Sequence, residues 1–243
     1  MKGLWAVFRR EVLGYFQTPV AYVFIAIFLL VSGMFTFYLG NFFERGKADL
    51  EPFFSWHPWL YLFLVPSLTM RLWAEERRSG SLELLMTLPL PIWQAVVGKF
   101  LAAWLFTAIT LLGTLPIWIT VNYLGDPDNG VIVAGYLGSL LMAGGYLAIG
   151  SCLSALTRNQ VIAFVLAVTV CFLFTLTGFP MVINFFSGWV PQILVETLSM
   201  FSFLTNFTDI TKGVLELRSV VYFVTLIALF LSINVVALNI KKG

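Results

Sequence analysis

Six stretches of this chain contain no Asp, Glu, Lys or Arg: residues 12–43, 52–70, 100–125, 129–157, 159–195 and 219–240. About 20 apolar residues in helical form cross the hydrocarbon core of a bilayer. Within that core the backbone must satisfy its own hydrogen bonds, so segments of this kind are expected to be helices. Only 11% of residues are charged, against about 25% in a soluble domain, too few to cover a water-facing surface. The expected fold class is an all-α integral membrane protein with six transmembrane helices, forming one domain over residues 1–243.

Five of the stretches suit single spans. The second is short, but it is rich in Leu, Phe and Trp and opens with the interfacial pair Trp56 and Trp59. The run 159–195 is too long for one crossing. Gly178 and Pro180 interrupt it, and Ser187-Gly188 with Pro191 interrupts it again. A span over 160–179 is therefore expected, followed by a broken segment. The uncharged stretch from Thr197 to Thr208 is too short to cross, a length that favours re-entrant or interfacial helices. Residues 181–218 thus read as an extracytoplasmic re-entrant segment before the last span.

Basic residues set the orientation. With six spans and a cytoplasmic N-terminus, Lys2, Arg9, Arg10, Arg71, Arg77, Arg78, Lys99, Arg158, Lys241 and Lys242 fall inside, against Arg45, Lys47, Lys212 and Arg218 outside. Both termini are expected to be cytoplasmic. Residues 2–17 form an interfacial helix in this reading: Leu4, Trp5, Phe8, Val12 and Tyr15 recur at helical spacing beside a basic face. A signal peptide is the alternative, but the apolar run that follows is too long for one and five more spans come after it.

Other chemistries have little to build on. Net charge is +2 and the single histidine is His57, which argues against nucleic acid and against metal or histidine-based catalysis. Cys152 and Cys171 lie in apolar runs and read as small buried hydrophobes. No GxxxxGK[ST] phosphate loop occurs, so ATP is not expected to bind this chain. No charge falls at the predicted middle of a span, which counts against a proton- or ion-coupled carrier.

The loop between the second and third spans, 74–92, is different in kind. Gly80 can end one helix and Ser81 can cap the next, with Glu83 favourably placed at its N-terminus. Leu82, Leu84, Leu85 and Leu88 give that short helix an apolar side, and Pro89 and Pro91 stop it. Such a helix, held at the membrane surface, can dock into a groove on a soluble partner; an ordinary surface loop is the plain alternative.

This segment resembles the signature of ABC-2 type transporter permeases, most closely the small gliding-motility-associated group. The match covers Glu75, Glu76, Gly80, Ser81, Glu83, Leu84, Leu85, Thr87, Pro89, Gly98 and Lys99. Ser81 stands where threonine is commoner, and Pro91 where a small polar residue is frequent. The resemblance implies the membrane-spanning subunit of a bacterial inner-membrane exporter, not itself an enzyme. It implies a second permease chain, identical or related, and a separate cytoplasmic ABC ATPase carrying ATP and Mg, coupled through the loop. A secondary carrier or channel, or a non-transporting anchor for an ATPase, are the alternatives.

Two further features are ambiguous. Gly144, Ala148, Ser151 and Ala155 share one face of the fourth span, and small residues let helices approach closely in lipid. Intrachain packing, a dimer interface and a substrate path all suit that face. Outside, Glu196, Asp209, Lys212, Glu216 and Arg218 suit an exit gate, an extracytoplasmic partner or a solvated loop. Asn206-Phe207-Thr208 also fits a glycosylation acceptor.

Overall fold

Two of the long helices start where a side chain supplies the missing acceptor. Asp128 Oδ1 accepts the N–H groups of Gly130 and Val131 at 2.8 and 3.3 Å, and Asn159 Oδ1 those of Val161 and Ile162 at 2.9 and 3.4 Å. These first-turn donors have no partner within the helix. The helices so begun, Asn129–Leu156 and Gln160–Leu176, fall on the fourth sequence stretch and within the segment 160–179. The protein is seen here as a computed structural model that describes residues 2–87, 89–187, 193, 197, 199–213 and 216–240.

Among the described residues the chain is helical and has no strand. The helices are α1 (Lys2–Phe16), α2 (Pro19–Met34, continued by a π-helical turn, Phe35–Leu39), α3 (Glu51–Ser55), α4 (His57–Thr69), α5 (Arg71–Ser79), α6 (Ser81–Thr87) and α7 (Ile92–Leu112). There follow α8 (Leu115–Leu124), α9 (Asn129–Leu156), α10 (Gln160–Leu176), α11 (Pro180–Ser187), α12 (Phe203–Thr211) and α13 (Leu217–Ile240).

Among the described residues four helical runs are long and apolar enough to cross a membrane: Pro19–Leu39, Ile92–Leu124, Asn129–Leu156 and Leu217–Ile240. α10 is apolar but has 17 residues, and α4 has 13. α4 is short because the helix breaks at Trp56, ahead of Pro58, and again at Met70, where α5 takes over. The third uncharged stretch opens only at residue 100, after the loop 74–92. α7 instead begins at Ile92, directly after its N-cap Pro91, so Lys99 lies two turns inside the helix. The charge is tolerated there because it is paired, as described below.

α9 is the hub, buried against α4, α7, α10, α12 and α13. Its glycines make the close approaches possible. A Cβ at Gly145 would meet the Phe203 ring at 2.6 Å, one at Gly138 would meet Ile210 at 2.7 Å, and Gly213 in turn lies against Val131. α12 therefore runs back along α9, starting past its midpoint and ending near its N-terminus. The tip of the expected re-entrant hairpin (188–192, 194–196 and 198, with Pro191 and Glu196) lies outside the described residues, as do Leu88, Lys241 and Lys242.

The tightest of these contacts is at Gly150, where a Cβ would stand 2.1 Å from Thr69 Oγ1 and 2.9 Å from Thr69 Cβ. Thr69 Cβ is fixed by its own helix, so the helices would have to part. Gly150→Ala is expected to cost about 1–3 kcal/mol, the usual penalty for overpacking. Gly33→Ala meets nothing within 4 Å and should be neutral or stabilising by up to about 1 kcal/mol. Thermal unfolding of both variants in one detergent checks the contrast, and equal midpoints would refute it.

Candidate functional site

The loop that joins α4 to α7 is rigid because α9 supplies the hydrogen bonds that its own turns lack. Ser154 Oγ accepts the N–H groups of Trp73 and Ala74 at 3.2 and 3.1 Å, and donates to the Met70 carbonyl at 2.9 Å. One hydroxyl thus closes the start of α5. Trp73, fully buried, donates its indole N–H to Ser151 Oγ at 3.1 Å, and Asn234 of α13 donates to the same oxygen at 2.9 Å. Arg77 donates to the Ala155 carbonyl at 2.6 Å.

The small-residue face is therefore filled from within the chain. Gly144 faces Ile227 and Trp104, Ala148 is fully buried, and Ser151 and Ala155 receive α5. It is an intrachain seam rather than an open surface for a second copy.

Gly80 ends α5 with φ 74°, in the left-handed region, where a residue without Cβ carries the least strain. Ser81 does not act as the expected N-cap. Its hydroxyl lies 2.9 Å from Ser79 Oγ and donates back to the Glu76 carbonyl at 3.4 Å, closing α5 instead. α6 then presents two sides. Leu82 is buried, and Leu85 and Met86 are half-buried against the bundle. Glu83, Leu84, Thr87 and the following Pro89 are exposed, Leu84 to 70%. Leu85, expected on the outward side with Leu84, thus faces the protein's own core.

Glu75 and Glu76 part company. Glu75 is exposed and accepts from Gln160 at the start of α10. Glu76 turns inward to Lys99, whose side chain is only 2% exposed. Lys99 Nζ donates to Glu76 Oε1 at 2.8 Å, to Glu11 Oε1 at 3.2 Å and to the Leu72 carbonyl at 3.1 Å, and lies 5.1 Å from the centre of the Trp73 ring. Arg10 bridges the same carboxylates, at 2.7 Å to Glu11 and 3.3 Å to Glu76. Burial pushes the Glu11 carboxyl up, but Lys99 and Arg10 outweigh it and hold it below the usual carboxylate range. Beside this cluster, Gly98 lets α1 lie directly on α7, since a Cβ there would meet Val7 at 3.1 Å and the Leu4 carbonyl at 3.2 Å.

The motif residues thus fall into two groups. Glu76, Ser81, Leu85, Gly98 and Lys99 build the loop's internal scaffold. Glu75, Glu83, Leu84, Thr87 and Pro89 face outward, with Gly80 at the corner. Sequence reasoning missed Glu11, Ser154, Arg77 and Asn234 as parts of this site. Glu11 was masked by its neighbours Arg9 and Arg10, which make α1 read as a basic face.

A family model described as ABC-2 family transporter protein matches residues 62–239. The match begins within α4 and takes in the whole loop. The chain is also similar to Heme exporter protein B of Paracoccus denitrificans (strain Pd 1222), 35% identical over 114 residues. That alignment covers 46% of this chain and 50% of the relative, so the match spans about half of each protein.

Proposed function

The chain belongs to the ABC-2 transporter family and is a multi-pass membrane protein, and from that premise we propose that it is the permease subunit of an ATP-driven exporter. Two such chains, identical or related, enclose the path. A cytoplasmic ATPase binds ATP and Mg, closes, and moves the helices through α6. In this reading α4 and α10 complete six spans, both termini and the loop lie on the cytoplasmic side of a bacterial inner membrane, and α12 with its preceding segment re-enters from outside.

The observation that supports coupling is the two-sided α6. Its inner side is anchored through α5 to α9, while its outer ridge of Glu83, Leu84 and Thr87 is exposed and, among the described residues, makes no ion pair and no side-chain hydrogen bond beyond Thr87 Oγ1 to the Leu84 carbonyl at 2.8 Å. An apolar residue flanked by polar ones on a short rigid helix suits a groove on a soluble protein. The Heme exporter relative places haem among the compounds to assay; nothing in the geometry selects it.

Orientation and partner can be tested together with Thr87→Cys. Cys152 and Cys171 are both buried, so they add little background to labelling of the folded chain. In intact cells the new thiol should react only with a membrane-permeant maleimide. In inverted vesicles it should react with an impermeant one, and adding the cognate ATPase should slow that reaction severalfold. Labelling from outside intact cells would overturn the orientation, and unchanged labelling with ATPase bound would overturn the coupling role.

A further inference from the structure

A cavity of about 360 Å³ lies beside the Lys99 cluster, between α1, the start of α2, the α4–α5 junction and α7. That volume is within the range of small-molecule sites. Its lining divides sharply by chemistry. One end is charged and balanced, with Arg10, Arg71 and Lys99 against Glu11, Glu75 and Glu76. The other end is apolar, formed by Val20, Ala21, Phe24 and Leu68. Val20, at the rim, is 53% exposed on the first apolar span, so the apolar end opens where acyl chains would stand.

Two residues of this wall each bury a polar atom with no hydrogen-bond partner, Glu76 Oε2 and the Tyr15 hydroxyl. Burying such groups unpaired is costly, and a carboxylate oxygen in that position calls for a donor. Arg71 is the converse: it is exposed and makes no ion pair among the described residues. Acceptor, donor and apolar wall therefore line one cavity.

We propose that this cavity binds an aminophospholipid of the adjacent leaflet, its primary ammonium on Glu76, its phosphate on Arg71 and Tyr15, and one acyl chain along Phe24 and Ala21. Charge balance selects the class. A net-neutral lining gives no advantage to an anionic headgroup. A quaternary ammonium cannot donate the hydrogen bond that Glu76 Oε2 lacks. The site would sit under α1 and fix the angle at which that helix leaves α2. This inference depends on the chain being embedded in lipid and not on what it transports.

The test uses the full-length protein in detergent, with native mass spectrometry during stepwise addition of dioleoyl phosphatidylethanolamine, phosphatidylcholine or phosphatidylglycerol. Two variants accompany it. Gly14 lines the cavity, and a Cβ there meets nothing within 4 Å, so Gly14→Leu fills the space without a clash at its first atom. Arg71→Gln removes the phosphate contact without breaking an ion pair. Phosphatidylethanolamine should bind the unmodified chain about tenfold more tightly than the other two lipids. Each variant should lose about that factor while unfolding at an unchanged temperature. Equal binding of all three lipids, or variants that bind phosphatidylethanolamine like the unmodified chain, would overturn the proposal.

Discussion

Lys99→Met should cost the folded protein about 3–5 kcal/mol, the loss typical when one partner of a buried ion pair is removed. The side chain keeps its length and its apolar stem, so packing against Trp73 survives. What is lost is the single cation that faces Glu76 Oε1, Glu11 Oε1 and the Leu72 carbonyl at once. Arg10 remains, but its side chain is 55% exposed and cannot follow the carboxylates inward. Two carboxylates would then share a half-buried site with one screened cation. For a chain of this size the thermal midpoint should fall by roughly 10 °C, and α1 should become accessible to protease. Adding Glu76→Gln to Lys99→Met should recover part of the loss, because the two effects are coupled through one contact. A midpoint for Lys99→Met equal to that of the unmodified protein would mean that the cluster contributes nothing to stability.

Leu84→Asp should produce the opposite pattern: an intact fold and failed coupling. Leu84 is exposed and touches little of its own chain, so unfolding should be unchanged within about 0.5 kcal/mol. If the residue anchors α6 in a groove of the ATPase, its loss together with a buried new charge should weaken binding at least about tenfold. Glu83→Lys, one residue away, tests the charge complementarity of the same ridge. Leu85→Ala serves as the contrast. It is half-buried against the bundle, so it should lower thermal stability and impair binding only as far as it loosens α6. The measurements are an ATPase pull-down and stimulated hydrolysis in one membrane system, beside thermal unfolding of each variant. Leu84→Asp binding the ATPase at the unmodified level would remove the outer ridge from the coupling role.

The helices were legible wherever a boundary charge and a cap coincide. Asp128 is both the last charge before a long apolar run and the N-cap of α9, so the run and the helix begin together. The same logic fails at Lys99, because a charge marks a water-facing boundary only when it is unpaired. Lys99 has its counter-ions 23 and 88 residues away, which no local window can register. The loop was recognisable as a motif, but not the direction in which each residue points. Glu75 and Glu76 are adjacent and alike in sequence, yet the 100° between successive helical positions sends one to Gln160 and the other to Lys99. Leu84 and Leu85 are separated in the same way. Which face of a seven-residue helix turns inward depends on the Gly80 corner and the Ser154 tether, both set by tertiary contacts.

The Glu11–Lys99 contact also bears on the order in which the chain can assemble. The two residues are 88 positions apart, and a ribosome adds about 5–20 residues per second. For some 4–18 seconds α1 exists without the lysine that later neutralises its carboxylate, and without the α7 surface at Gly98 on which it lies. Docking of the first helix therefore cannot precede synthesis of α7, and the contact forms only once Glu11 and Lys99 stand at the same end of the bundle.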